Sequence, residues 1–434
     1  LNENNQFRFR YSQSDFSATQ AGNGNVRFNN NVLDKTKLFS TTYVRTFGSS
    51  LVNELRLAYR RAESDFPLSD ASALTFPNIT VAPLNLALGP NSNLPQSGGD
   101  NSYQVFDTLT YTTGQHSFKF GVDYRNLITF SNFLPRGRGD YIYTNFEELI
   151  ADRAPTNLAL RGVGSGSFVG SNQKYYFFGQ DDWKVTTNLT LNLGLRYELV
   201  TLPRDAKLQE LNNIASIPGV LEFRTPTIDK NNFAPRVGFA YSPDWDNGIS
   251  RFLFGEGRRS AIRGNFSVSY AETFQNLILL QLPPQFQQEL NVPTAQTSFG
   301  LNLQTRFLEQ GGLPGTPIPP TTRARARAGT GSYITDQKFG EIYSFALSYQ
   351  RELTNSTAVE IRYLGTRGRH LPIQTRRNGA FTNPAALTIP TFFSQPTTAQ
   401  LSSLTTLGAI RSRADVGVFP LDNLVAPEFF GGFV

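Results

Sequence analysis

Hydrophobic residues occupy alternate positions over long stretches of this chain. In NLTLNLGLRYEL (188–199), Leu189, Leu191, Leu193, Leu195, Tyr197 and Leu199 share one parity, and Asn188, Thr190, Asn192, Gly194, Arg196 and Glu198 share the other. Successive side chains leave opposite faces of a strand, so this pattern predicts a β-strand with one apolar and one wet face. The same alternation predicts strands over about 4–16, 35–47, 51–65, 102–113, 116–130, 173–185, 188–200, 232–243, 259–272, 339–353 and 356–369. Most run 12 to 15 residues, against about five or six for an ordinary strand; a tilted bilayer crossing needs about 9–11 plus extensions.

The connections carry a second pattern. Short turns at FGSS (47–50), TGQ (113–115), TTN (186–188) and TNS (354–356) alternate with long polar segments at 17–34, 66–101, 131–172, 201–231 and 273–338. Every long loop therefore falls at one end, and only 244–258 is longer than its place predicts. Unstructured loops of this length argue against a compact soluble domain. Outer-membrane barrels have this asymmetry, with short turns toward the periplasm and long loops outside. One helical turn is predicted inside a loop, at NFEELIADR (145–153).

Sorted by face, Phe118, Phe120, Val122 and Tyr124 oppose Lys119, Gly121, Asp123 and Arg125, and Ile262, Phe266, Val268 and Tyr270 oppose Arg263, Asn265, Ser267 and Ser269. A charged, Gly- and Ser-rich inner face suits a water-containing lumen; in a dry core each unpaired charge costs several kcal/mol. The expected lipid face is Leu189, Leu191, Leu193, Leu195, Phe118, Phe120, Val122, Phe266 and Val268. The expected lumen face holds Asp123, Arg125, Asp182, Arg196, Glu198, Arg236, Arg263, Glu360 and Arg362. Tyr175, Phe177 and Tyr197 are expected in an outer aromatic girdle and Trp183 in the periplasmic one. From Tyr175 to Trp183, eight residues at about 3.3 Å and about 40° tilt rise roughly 20 Å, near the ~25 Å apolar band of such barrels.

Composition fits a wall one side chain thick: 39% of the 434 residues are hydrophobic, with 36 Phe and 17 Tyr among them. No run of about 18 uncharged apolar residues exists, which excludes a spanning helix and leaves a spanning barrel untouched. The net charge of +6 is spread along the chain and gives nucleic-acid binding little support. Without cysteine there are neither disulfides nor thiolate metal sites. The chain opens LNENNQFRFR, without Met or an apolar leader, and is expected to be cut from a longer protein.

Candidate chemistry is sparse. His116 and His370 have no metal-ligand spacing and read as exposed turn residues. GVGSGSFVG (162–170) fails the phosphate-loop pattern, because Ser167 holds the final glycine position, and reads as a flexible loop. Asp181 and Asp182 are neighbours on a strand, so they cannot act as a glycosidase pair. Asp181 is expected on the Trp183 side near the lower headgroups, and Asp182 in the lumen. In TTRARARAG (321–329), Arg323, Arg325 and Arg327 share one side if extended, an array able to hold lipopolysaccharide phosphates or an anionic ligand, or else a solvated loop. No Ser/His/Asp set emerges, so no enzyme, metal or cofactor is expected.

YYFFGQDDWKVTTNLTLNLGLRYEL (175–199), NFAPRVGFAYSPDW (232–245), AIRGNFSVSY (261–270) and ALSYQRELTNSTAVEIRYLGTRGRHL (346–371), in this order, resemble the barrel region of Oar-like TonB-dependent outer-membrane receptors. The resemblance implies a Gram-negative outer-membrane location, a 22-stranded antiparallel transmembrane β-barrel with an N-terminal plug, and a ligand held by plug and outer loops. It also implies partners: outer-membrane lipid and lipopolysaccharide, and TonB-ExbB-ExbD through the N-terminal region. Residues 1–434 are expected to be a single barrel region, about half a barrel, with the plug and the C-terminal strands lying outside this sequence. A plug-less structural or adhesive barrel, or a secreted β-rich carbohydrate-active enzyme, is the alternative; the latter needs an inward carboxylate pair.

Overall fold

The structure, a computed structural model, describes residues 3–218, 222–244, 248–255, 257, 259–272, 287–319, 322–323, 326, 335–373 and 397–399. Its strands are β1 (Asn5–Gln20), β2 (Asn30–Phe47), β3 (Leu51–Phe66), β4 (Asn78–Val81), β5 (Leu86–Leu88), β6 (Gln96–Thr113), β7 (His116–Asn132), β8 (Asp140–Tyr143) and β9 (Leu158–Gly164). The chain continues through β10 (Ser167–Val169), β11 (Asn172–Thr186), β12 (Leu189–Val200), β13 (Phe233–Tyr241), β14 (Ser260–Ala271), β15 (Gln287–Asn291), β16 (Gly340–Thr354) and β17 (Thr357–Arg369). The large sheet has 12 strands: β1-β2-β3-β6-β7-β11-β12-β13-β14-β16-β17, each antiparallel to its neighbour, with β10 added beside β7. Its eleven long strands are the eleven that the alternation predicts. Among the described residues β1 and β17 form its two edges.

Directly opposed residues point to the same side, so the register assembles the apolar parities into one belt on one face of the sheet. It runs from exposed Phe7, Phe9 and Tyr11 on β1 to exposed Ile361 and Tyr363 on β17. Aromatic residues bound it at a constant separation of eight positions: Phe39 and Phe47, Tyr103 and Tyr111, Tyr124 and His116, Tyr175 and Trp183, Phe233 and Tyr241. The outer row is closed by ring contacts, Tyr59 on Tyr103 at 5.0 Å, Tyr124 on Tyr175 at 5.1 Å and Tyr197 on Phe233 at 4.8 Å.

Relative to the register, that row slips two residues between Tyr103 and Tyr124 and two more between Tyr175 and Tyr197. From Tyr103 to Phe233 this is four residues at about 3.3 Å across four spacings of about 4.8 Å, a local strand tilt of about 35° and within the range of transmembrane barrels, whereas from Phe39 through Tyr59 to Tyr103 the row does not slip. The belt is then about 22 Å high, close to the apolar band of an outer membrane.

The long connections depart from expectation. They are folded, and they contain the larger part of the molecule's buried core. β1 and β2 extend upward until only residues 21–29 separate them. Strands from three different loops pair as a second, five-stranded sheet, β15-β9-β8-β4-β5, in which β4 and β8 are parallel. Its core is Ile79, Val81, Tyr141, Tyr143, Ala154, Ala159, Ala295, Leu303, Phe307 and Leu313. The supposed flexible loop at 162–170 is the end of β9 and all of β10, with Val163 1% and Phe168 2% exposed. Gly162 is needed there, because a Cβ would stand 2.0 Å from the carbonyl oxygen of Pro135. The helical turn in the same loop spans Phe146–Ile150, with the Asn145 side chain accepting from the Glu148 amide. At the opposite end, the overlong connection after β13 holds a helix, Gly248–Phe254.

Candidate functional site

The lumen side of β7, β11 and β12 carries a charged cluster just below the outer cap. Asp123 and Arg125 are two apart on β7, as Arg196 and Glu198 are on β12, so each pair shares a face. Arg125 donates from Nη2 to Asp123 Oδ2 at 2.7 Å, and Gln104 Nε2 donates to Asp123 Oδ1 at 2.8 Å. Arg196 Nε donates to Glu198 Oε1 at 2.8 Å. Tyr176 lies directly between Asp123 and Glu198 in the register and is 4% exposed. Both guanidiniums sit over its ring, Arg125 at 5.5 Å and Arg196 at 4.4 Å from the centroid. Its hydroxyl donates to Glu272 Oε1 at 2.5 Å, and Glu272 is paired with Lys174. Three carboxylates and three cations thus balance around one phenol, which ties four strands together.

Tyr176, Lys174 and Glu272 escape a sequence reading for different reasons. Tyr176 and Lys174 have the lumen parity of β11, a usable signal hidden by the surrounding run of aromatics. Glu272 ends the predicted strand 259–272 with the parity of Ile262, Phe266, Val268 and Tyr270, so alternation assigns it to the apolar face. Tyr176→Phe keeps the ring under the guanidiniums and removes only the bond to Glu272; the expected cost is about 1–2 kcal/mol in a urea unfolding titration.

The other lumen candidates do not join the cluster. Asp182 accepts from Asn192 Nδ2 at 2.6 Å, Arg263 donates to Gln350 Oε1 at 3.1 Å, and Arg362 Nε donates to Glu360 Oε1 at 3.1 Å. Arg236 is exposed opposite Ser267 and Gly194. In the outer segments Arg323 is exposed, while Arg325 and Arg327 lie outside the described residues.

On the apolar face, Leu193, Leu195, Phe120, Val122, Phe177 and Phe266 are exposed, and Leu189, Leu191 and Phe118 are half-buried. Val268 shares that face yet is only 6% exposed, opposite Tyr343 in the register. Tyr175, Trp183 and Tyr197 stand in the girdle rows, with Phe177 one step inside Tyr175.

His116 is not a free turn residue. Its ring stacks between Phe118 at 5.3 Å and Trp183 at 5.2 Å, and Nδ1 lies 2.7 Å from Asp181 Oδ2. The aspartate just inside the lower edge of the apolar belt thus has a neighbouring partner in the girdle row, 65 positions away in sequence. His370 lies 3.5 Å from Glu341. Among the described residues no three His, Cys, Asp or Glu side chains are placed to hold a metal ion.

The cap above the lumen has polar anchors of its own. Leu313 donates its amide to the Tyr141 hydroxyl at 3.0 Å, and Arg161 Nη1 donates to the Leu313 carbonyl at 2.5 Å. Burial pushes the pKa of the Tyr141 and Tyr143 phenols up, keeping them neutral, and lowers that of the Arg138 guanidinium to about 10, so Arg138 stays cationic at neutral pH. Arg138 Nη2 donates to the carbonyls of Pro90 and Asn91 at 3.2 and 2.6 Å. The loop after β12 carries an open surface pocket lined by Glu210, Ser216, Glu222, Phe223 and Arg224 among others.

A family model described as "Outer membrane beta barrel domain" matches residues 1–418. The chain belongs to this family. Outer-membrane barrel proteins place their apolar belt in lipid, so the apolar face described above is expected to meet lipid and the opposite face the lumen. Similar solved structures include the outer membrane transporter YddB from Escherichia coli, with 11% identity and a TM-score of 0.49, over 84% of this chain and 38% of that one. Another is the ferric yersiniabactin uptake receptor FyuA from Yersinia pestis, with 8% identity and a TM-score of 0.44, over 86% of this chain and 44% of that one. The chain therefore spans less than half the length of either. No curated protein matches it.

Proposed function

We propose that the chain is barrel and outer cap of an Oar-like TonB-dependent receptor, which recognises a ligand at the cell surface and conducts it across the outer membrane. The observation that supports this most is the folded cap. Strands from three loops, pairing across 62 positions at Asn78 and Asp140 and across 131 at Leu160 and Asn291, build one sheet beyond strands whose inner face carries fixed charges of both signs. A merely structural barrel has no use for a rigid roof above a polar channel. A plug from the longer protein would fill the lumen against Asp123, Arg125, Arg196 and Glu198, and TonB-ExbB-ExbD would supply the energy through it. Exposed Arg323 belongs in this reading to the surface that meets lipopolysaccharide or an anionic ligand.

The test uses the protein at its natural length in its own outer membrane. Formaldehyde cross-linking is expected to give an adduct recognised by an antibody to TonB and missing from cells that lack TonB. A correctly inserted barrel that forms no such adduct overturns energy coupling. If cells without the protein then lose surface attachment, the adhesive reading takes its place.

A further inference from the structure

The lipid face of β2, β3 and β6 carries charge where hydrocarbon should lie. Asp107 is exposed at mid-height of the belt, four positions from Tyr103 and four from Tyr111. It accepts one hydrogen bond, from Asn53 Nδ2 at 2.8 Å. Arg45 is exposed on the same face, directly opposite Asn53 in the register, with its guanidinium 4.6 Å from the ring centroid of Phe47. Neither forms an ion pair among the described residues, whereas the other belt carboxylate, Asp181, has His116 beside it. A charged side chain inside the membrane is costly in lipid and marks a contact with another polar group.

The arrangement is self-complementary. Asp107 faces Leu55 across one side of β3, and Arg45 faces Asn53 across the other. The two charges therefore flank β3 from opposite strands, one of each sign. A two-fold axis parallel to the membrane normal and lying against β3 brings each cation to the other copy's anion, as an isologous interface requires. The two positions differ in height by about two residues, which the long arginine side chain can span. We propose that this face docks a second copy of the chain, with Arg45 of each copy meeting Asp107 of the other inside the bilayer. The interface needs only the outer-membrane barrel and is independent of TonB coupling.

Because the chain has no cysteine, single cysteines report on it cleanly. In native outer membranes treated with copper phenanthroline, Leu55→Cys on the axis is expected to give a disulfide-linked dimer, and Val237→Cys, in the belt away from this face, is expected to stay monomeric. Charge reversal tests the pairing. In lipid nanodiscs, Arg45→Asp or Asp107→Arg alone is expected to weaken dimerisation at least tenfold, and the double reversal to restore it, with heat-dependent gel mobility confirming a folded barrel in every variant. Monomeric Leu55→Cys, equal cross-linking of both cysteines, or a folded double reversal that stays monomeric overturns the proposal; lipid or a different polypeptide would then cover Asp107.

Discussion

Leu195→Arg is expected to destabilise the membrane-inserted protein by about 1–3 kcal/mol, between the cost of a cationic side chain at the middle of a barrel's lipid face and its cost at the interface. Leu195 is 50% exposed and lies in the belt one step inside the outer girdle residue Tyr197, opposite Gly179 and Pro235. Nothing acidic stands opposite it to receive a guanidinium. Urea titration of the protein refolded into vesicles measures the cost, and heat-dependent gel mobility reports assembly. Asn192→Arg, three residues away, is the control, since it enters the lumen beside Asp182. It is expected to shift stability by less than about 0.5 kcal/mol, as surface substitutions usually do. Equal costs for the two would mean that the leucine face touches protein, and the assignment of lipid and lumen would fail.

Tyr141→Ala is expected to cost about 3–5 kcal/mol and to loosen the cap while the barrel stays assembled. Tyr141 is fully buried, meets Phe307 edge-on at 4.9 Å, and its hydroxyl receives the Leu313 amide. Truncation leaves a ring-sized cavity and strands that amide without an acceptor. The cap shares few hydrogen bonds with the large sheet, so the loss should remain local: limited proteolysis is expected to cut within 287–319, with unchanged heat-dependent mobility. Tyr141→Phe keeps the ring and is expected to cost about 1 kcal/mol. If the alanine variant abolishes barrel assembly instead, the cap is a folding template for the barrel and not a roof added to it.

The same division explains what could be read from sequence. Leu189 through Leu199 declare their strand and its faces because period two is enforced by the backbone itself, whatever lies nearby. The pairs Asp123 with Arg125 and Arg196 with Glu198 are legible for the same reason. Their meeting over Tyr176 is not, since it depends on which residue of β7 and of β12 stands opposite Tyr176. His116 looked like a turn residue because its partners, Asp181 and Trp183, are more than 60 positions away. The cap was taken for loop because NITV, DYIY and QQELN are each too short to signal a strand, and each buries its apolar residues only against the others.

Sequence by itself therefore determined the eleven long strands, their order, which end bears the loops, and which parity forms the apolar face. All of these follow from local alternation and from chain length between turns. Tertiary structure alone decided the register, the local tilt of about 35°, the balanced cluster around Tyr176, the Asn53–Asp107 contact on the lipid face, and the sheet that roofs the lumen. Each of these joins residues far apart in the chain, and their energy arises from contacts that no single segment contains.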